Sequence, residues 1–187
     1  MANKVKYGLS NVHYAVMSED AQGAITYATP VAWKGAVNLS LDAEGDVTKF
    51  RADNIDYWVG QSNNGYSGDL ESALVPDSFI TDVLGNVNDQ SDVIVEKADA
   101  PTVHFALLFQ FEGDTSATRH VLFNCTASRP SVGSETTGET TEPVTETVSI
   151  TAASIPSTAL NGEIVKAKCD SSSAAYDTWF SAVYIPS

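Results

Sequence analysis

Apolar and polar residues alternate with period two along most of this chain, and long helical periods are absent, which predicts a mainly β protein. Val12, Tyr14 and Val16 share one face of a strand expected over 11–17. Over 33–42, Val37, Leu39 and Leu41 alternate with Asn38, Ser40 and Asp42. Over 64–74, Tyr66, Gly68, Leu70 and Leu74 alternate with Ser67, Asp69, Glu71 and Ala73. The strongest core strand is expected at 103–112, where Val103, Phe105, Leu107, Phe109 and Phe111 share a face. A turn at 112–116 leads to its hairpin partner at 118–127, with Arg119, Val121, Phe123 and Cys125 on one side. Val144, Glu146, Val148 and Ile150 alternate with Thr145, Thr147, Ser149 and Thr151 over 144–151. Weaker strands fit 92–96 and 163–169.

One short helix interrupts this pattern. Residues 76–85 open with Pro76 and Asp77 and close on Gly85, and Phe79, Ile80, Val83 and Leu84 form one apolar stripe. A helix of that length is marginal alone, so the stripe is expected to dock on a sheet. A second helical turn is expected at 175–181.

Two stretches lack a period and are expected as loops. Residues 43–64 form a long connection that carries Phe50, Ile55, Tyr57 and Trp58. Long loops of this kind inside a compact chain are usually functional or disordered, and disordered tails seldom carry such aromatics. Either this one folds back over its own core, or it presents a surface for a partner to cover. Residues 131–143 are rich in Thr, Glu and Gly, and are expected to be a flexible, solvated loop.

Composition permits a core. Leu, Ile, Val and Phe supply 44 of 187 residues, Val outnumbers Leu 19 to 10, and the length suits a single domain over 1–187. Charge narrows the partners. Ten Lys plus Arg stand against 24 Asp plus Glu, a net charge of -14, which argues against a patch that grips nucleic acid. No apolar h-region follows the first residues, and the longest apolar run, Phe105–Phe109, is far short of a membrane span. Cys125 and Cys169 lack metal or redox spacing and are expected as buried free thiols.

The search for chemistry yields little. His13, His104 and His120 fall on separate strands without ligand spacing. Gly65-Tyr66-Ser67-Gly68 has Asp69 where a nucleophile elbow needs its last Gly. Asp69 and Glu71 are same-face carboxylates roughly 7 Å apart by strand geometry, a spacing within glycosidase range that solvated strands share. The acidic turn Asp42-Ala43-Glu44-Gly45-Asp46 lacks the Gly and Glu positions of a calcium loop. No catalytic, cofactor or metal site is expected.

The runs VKYGLSNVHYAV, AVNLSLDAEGD, ADNIDYW, SNNGYSGDLE, ALVPDSFITDVLG, FALLFQFEGD, ATRHVLFNCTASRP and TETVSITA occur in that order over about residues 4–152. With VKAKC and YDTWFSAVY near the end, the chain resembles the major tail protein family of long, non-contractile-tailed bacteriophages of Gram-positive bacteria. The resemblance implies a β-sandwich or barrel with one flanking helix, similar to the tube protein of type VI secretion systems. It implies a virion subunit, assembled in the host cytoplasm, that forms six-membered rings stacked around the tape measure protein. Tail-tip and tail-terminator proteins would bound the stack, and DNA would pass through without specific binding.

Within that picture, Phe50, Ile55, Tyr57 and Trp58 are expected at ring-to-ring contacts. Asn38, Ser40, Asp42, Ser67, Asp69 and Glu71 are expected to face the lumen. Leu39, Leu41, Leu70 and Leu74 would pack inward, toward an outer sheet and the helix stripe. The rival reading is an adhesive or carbohydrate-binding β-sandwich, with Trp33, Tyr57, Trp58 and Trp179 as a sugar platform.

Overall fold

The computed structural model describes residues 5, 7–113, 116–134, 136 and 143–186. In chain order the strands are β1 (Leu9–Glu19), β2 (Ile25–Tyr27), β3 (Val31–Ala32), β4 (Ala36–Glu44), β5 (Val47–Ala52), β6 (Ile55–Gln61) and β7 (Gly65–Ser72). Helix α1 (Asp77–Asp82) follows, then β8 (Val87–Asn88), β9 (Ile94–Val95), β10 (Phe105–Phe111), β11 (Arg119–Ala127) and β12 (Glu146–Ala153). Three short strands end the series: β13 (Ile155–Ser157), β14 (Gly162–Ile164) and β15 (Lys166–Cys169).

The fold is mainly β, antiparallel and sandwich-like. One sheet runs in the order β2-β1-β10-β11-β12-β7-β4, with β3 beside β1 and β15 beside the first half of β11. It carries a hydrophobic cluster on each face. Val12, Tyr14, Phe105, Leu107, Leu122, Cys125, Leu70, Val148 and Ile150 belong to one cluster; Ala15, Ala106, Leu108, Val121, Phe123 and Trp179 belong to the other. The Phe105–Phe109 run is therefore apolar at every position because β10 is buried on both sides.

Helix α1 fills the first cluster. Phe79 is fully buried with Tyr14, Trp33 and Phe105 around it, at ring-centroid distances of 5.1, 4.4 and 5.3 Å. Such packing adds about 0.5–1.5 kcal/mol per aromatic pair beyond burial. Val83 is buried, and Ile80 and Leu84 pack against the same cluster, as the stripe requires. Tyr14 Oη donates to Asp82 Oδ2 at 3.0 Å, fastening the helix to β1. The regular helix is shorter than the 76–85 expected, but its last turn continues through Leu84 N–H to Phe79 O and closes on Gly85 at φ +74°.

Several expectations are corrected. The 43–64 stretch is not a loop: β5 and β6 pair as a hairpin. Arg119, Val121, Phe123 and Cys125 do not share a face throughout. A register shift opposite Phe105–Leu107 sends Cys125 to the cluster of Leu122, while Val121 and Phe123 face the other. A second shift between Ala36 and Asn38 leaves Val37 exposed and turns Ala36 inward. Leu74 is 70 % exposed, because β7 ends at Ser72 and the alternation ends with it.

The 163–169 strand is split into β14 and β15, and 92–96 contracts to β9. Around 175–181 the backbone makes successive tight turns rather than a helix, with Tyr176 N–H on Ser173 O and Trp179 N–H on Tyr176 O. Cys125 and Cys169 are free and buried. The expected flexible stretch at 131–143 lies partly outside the described residues. Its described positions, 131–134, 136 and 143, belong to no strand or helix.

Candidate assembly surfaces

The residues singled out at 43–64 stand on a two-stranded arm. Glu44 pairs with Gly65 at the end of the β4–β7 ladder, and the chain continues outward through Asn64 N–H to Glu44 O and Ser62 N–H to Asp46 O. Beyond this joint Val47 pairs with Gln61, Phe50 with Trp58 and Ala52 with Ile55. Asp53 and Asn54 close the tip with φ of 51° and 61°. Two successive positive φ values make the tight two-residue turn whose twist suits a hairpin.

Among the described residues no third strand pairs with β5 or β6, and every residue of the two strands except Ala52 and Gly60 is exposed. Phe50, Ile55, Tyr57 and Trp58 are 60, 60, 70 and 55 % exposed. Lys49 Nζ and Arg51 Nε reach Asp56 at 3.1 and 3.4 Å, a pairing between exposed groups worth little by itself. The indole of Trp58 lies over Gly60, where a Cβ would come within 2.2 Å of the ring. A two-stranded hairpin is at best marginally stable in water. This one sets its aromatic residues in solvent instead of in the chain's own core.

The expected polar residues converge on a second surface. Strands β4 and β7 pair Asn38 with Glu71, Ser40 with Asp69 and Asp42 with Ser67. The ladder between β7 and β12 extends those rows to Thr147, Ser149 and Thr151. Asn38, Ser40, Asp42, Asp69, Thr147, Ser149 and Thr151 are exposed, and Ser67 and Glu71 partly so. No Lys or Arg stands in these rows.

Hydroxyls hold the carboxylates in place. Ser149 Oγ donates to Asp69 Oδ1 at 2.7 Å, Thr145 Oγ1 to Glu71 Oε1 at 2.6 Å, and Ser67 Oγ to Glu44 Oε1. The opposite side of the same rows packs Leu39, Leu70 and Val148 into the core. The hydroxyl alternation of β12 shows in its residue pattern, whereas its place beside β7 does not. Alternation shows which residues share a face, not which strand lies next door.

The four aromatics proposed as a sugar platform do not come together. Trp33 and Trp179 are buried in different clusters, leaving only Tyr57 and Trp58 exposed. Trp33 Nε1 donates to Ser72 Oγ and Trp179 Nε1 to His120 O, so both indoles serve the interior. Among the described residues no group of three or more His, Cys, Asp or Glu is placed to hold a metal ion. Among the described residues no helix is long and apolar enough to cross a membrane. Comparison with models of protein families finds no match to this chain, and comparison with curated proteins finds none either.

Proposed function

We propose that the chain is a structural virion subunit, the building block of a bacteriophage tail tube. It forms six-membered rings that stack around a tape measure protein and later pass DNA. The observation that carries this reading is the β5–β6 hairpin, which extends Phe50, Ile55, Tyr57 and Trp58 into solvent, with no strand among the described residues to cover them. Apolar surface concentrated on a protruding arm belongs to a subunit that finishes its packing in an assembly.

The polar face suits the inner wall of such a tube. Asp42, Asp69 and Glu71 would repel phosphates and let DNA slide, over a range screening limits to about 8–10 Å. The ring number, the tape measure partner and the phage setting rest on the sequence resemblance. The reading assigns the chain no catalytic step and no cofactor.

Negative-stain microscopy and sedimentation of the purified chain at rising concentration test it. Rings or tubes are expected. Persistent monomers that bind glycans through the Tyr57/Trp58 arm would replace this reading with the adhesive one.

A further inference from the structure

The long sheet divides at β11. Residues Arg119–Leu122 pair with β15, whereas Asn124–Ala127 pair with β12, which carries β7 and β4 away on a separate branch. Between the two branches lies an open cavity of about 320 Å³. Leu39, Leu41 and Tyr66 wall it from one side, and Phe109, Phe111 and Leu122 from the other. Packed interiors leave few voids larger than a water molecule, and a space of this size at the edge of a core falls in the range of small-molecule sites.

We infer that this cavity binds a small carboxylate with an apolar body, of the size of a medium-chain fatty acid or an aromatic acid. Every wall comes from one chain, so the site is independent of the tube reading.

The walls account for the apolar body. Leu122 and Phe109 are buried, and Leu39, Leu41 and Phe111 pack partly buried against the same core cluster. A hydrocarbon placed between them covers carbon that the two branches leave open to water. His120 stiffens the wall by lying flat on Phe109, with ring centroids 5.1 Å apart, and edge-on to Phe111 at 5.6 Å.

The rim accounts for the carboxylate. Lys166 bridges the two branches, its Nζ donating to Tyr66 Oη at 2.6 Å and lying 4.4 Å from the centre of that ring. Among the described residues no Asp or Glu borders the cavity, and no carboxylate pairs with Lys166. The chain has 24 Asp plus Glu against ten Lys plus Arg, so an acid-free wall around a lysine is a local reversal that attracts an anion. An ammonium has three donors, of which Tyr66 takes one, and the phenol O–H can donate to the same anion. A single ammonium matches one negative charge, which favours a carboxylate over a phosphate dianion.

Calorimetry and methyl NMR on the full-length chain test the site with four probes: octanoate, 3-phenylpropionate, octan-1-ol and octylammonium. At least one of the two acids is expected to bind at a single site, with shifts centred on the methyls of Leu39, Leu41 and Leu122. The tighter acid identifies the body as alkyl or aromatic. Octan-1-ol should bind at least tenfold more weakly than octanoate, and octylammonium more weakly still. Lys166→Met should lower octanoate affinity roughly tenfold or more, the loss of a charged hydrogen bond, and leave octan-1-ol unchanged. Lys166→Arg should retain most of the octanoate affinity.

Equal affinity for octanoate and octan-1-ol would overturn the carboxylate assignment. Absence of saturable binding by either acid would remove the site, as would shifts spread over exposed apolar residues such as Leu74 and Val132. If the cavity methyls shift with protein concentration and octanoate does not compete, a second copy fills the space and the ligand site falls. Should Lys166→Met lose its fold by circular dichroism, the split between octanoate and octan-1-ol in the wild type decides.

Discussion

Trp33 donates its indole N–H to Ser72 Oγ across 3.0 Å in the interior, and Ser72 donates in turn to Leu74 O at 2.7 Å. This two-step relay joins the β3–β4 connection to the last residue of β7. It also turns the chain out of the sheet at Leu74 and into α1. Val75 N–H completes the corner by donating to Glu146 Oε2 at 2.7 Å.

Ser72→Ala removes the relay's centre and strands a buried indole N–H, which costs about 1–3 kcal/mol. Urea unfolding should report that loss with little change in slope.

Trp58→Ala and Tyr57→Ala should behave oppositely. Both side chains are mostly exposed, so monomer stability should move by no more than about 0.5 kcal/mol. Tube formation should be lost at concentrations where the wild type assembles. Gly60→Val should reproduce part of this defect, because its side chain would occupy the space now held by the Trp58 ring. Sedimentation beside a thermal melt separates the two effects; normal tubes from Trp58→Ala would remove the hairpin from the assembly contact.

On the polar face, Asp69→Lys with Glu71→Lys should still allow tubes yet slow DNA passage in an ejection assay. The isosteric pair Asp69→Asn with Glu71→Gln removes the charge while its amide oxygens still accept from Ser149 and Thr145. That variant should fold as the wild type does and show an intermediate ejection rate. An unchanged rate in the lysine variant would take the face out of the lumen.

Alkaline pH should unfold the chain through its buried acids. Burial pushes the Cys125 thiol up to about 12 from its ordinary 9.0. Burial, with Asp82 beside it, raises Tyr14 to about 12 from 10.0. Both groups are neutral when protonated, and their folded-state values lie above the unfolded ones. Their contribution is therefore whole below pH 9 and drains as pH rises toward 12, at up to ~1.4 kcal/mol per pH unit for each. Cys125→Ala should flatten the alkaline limb of a stability–pH curve between 9 and 12. Neither native thiol should react with a thiol reagent at neutral pH faster than the chain unfolds.

What was legible in the sequence follows from one-sided burial. Leu39 and Leu70 face a core while Ser40 and Asp69 face away, so β4 and β7 print their pleat on the residue pattern. The helix stripe was legible for the same reason, since Phe79 and Val83 lie in the core and Ile80 and Leu84 pack against it. The hairpin was not legible, because neither face of β5 or β6 is buried by its own chain. Phe50, Lys49 and Arg51 then follow one another with no periodic contrast to betray a strand. Cys125 was misplaced because a register shift arises between two strands, and no single strand records it.

The sequence by itself determined the mainly β class, the short helix, the apolar faces and the identity of the residues too hydrophobic to be left in water. Tertiary structure alone decided which strands are neighbours. That brought Thr147, Ser149 and Thr151 beside Asp69 and Glu71 in one polar face, and set the Phe50/Trp58 arm beyond one end of the ladder. Alternation along a strand is a local property fixed by backbone geometry. Neighbour order and end-to-end polarity depend on hydrogen bonds between segments as distant as Asp69 and Ser149, which no local pattern encodes.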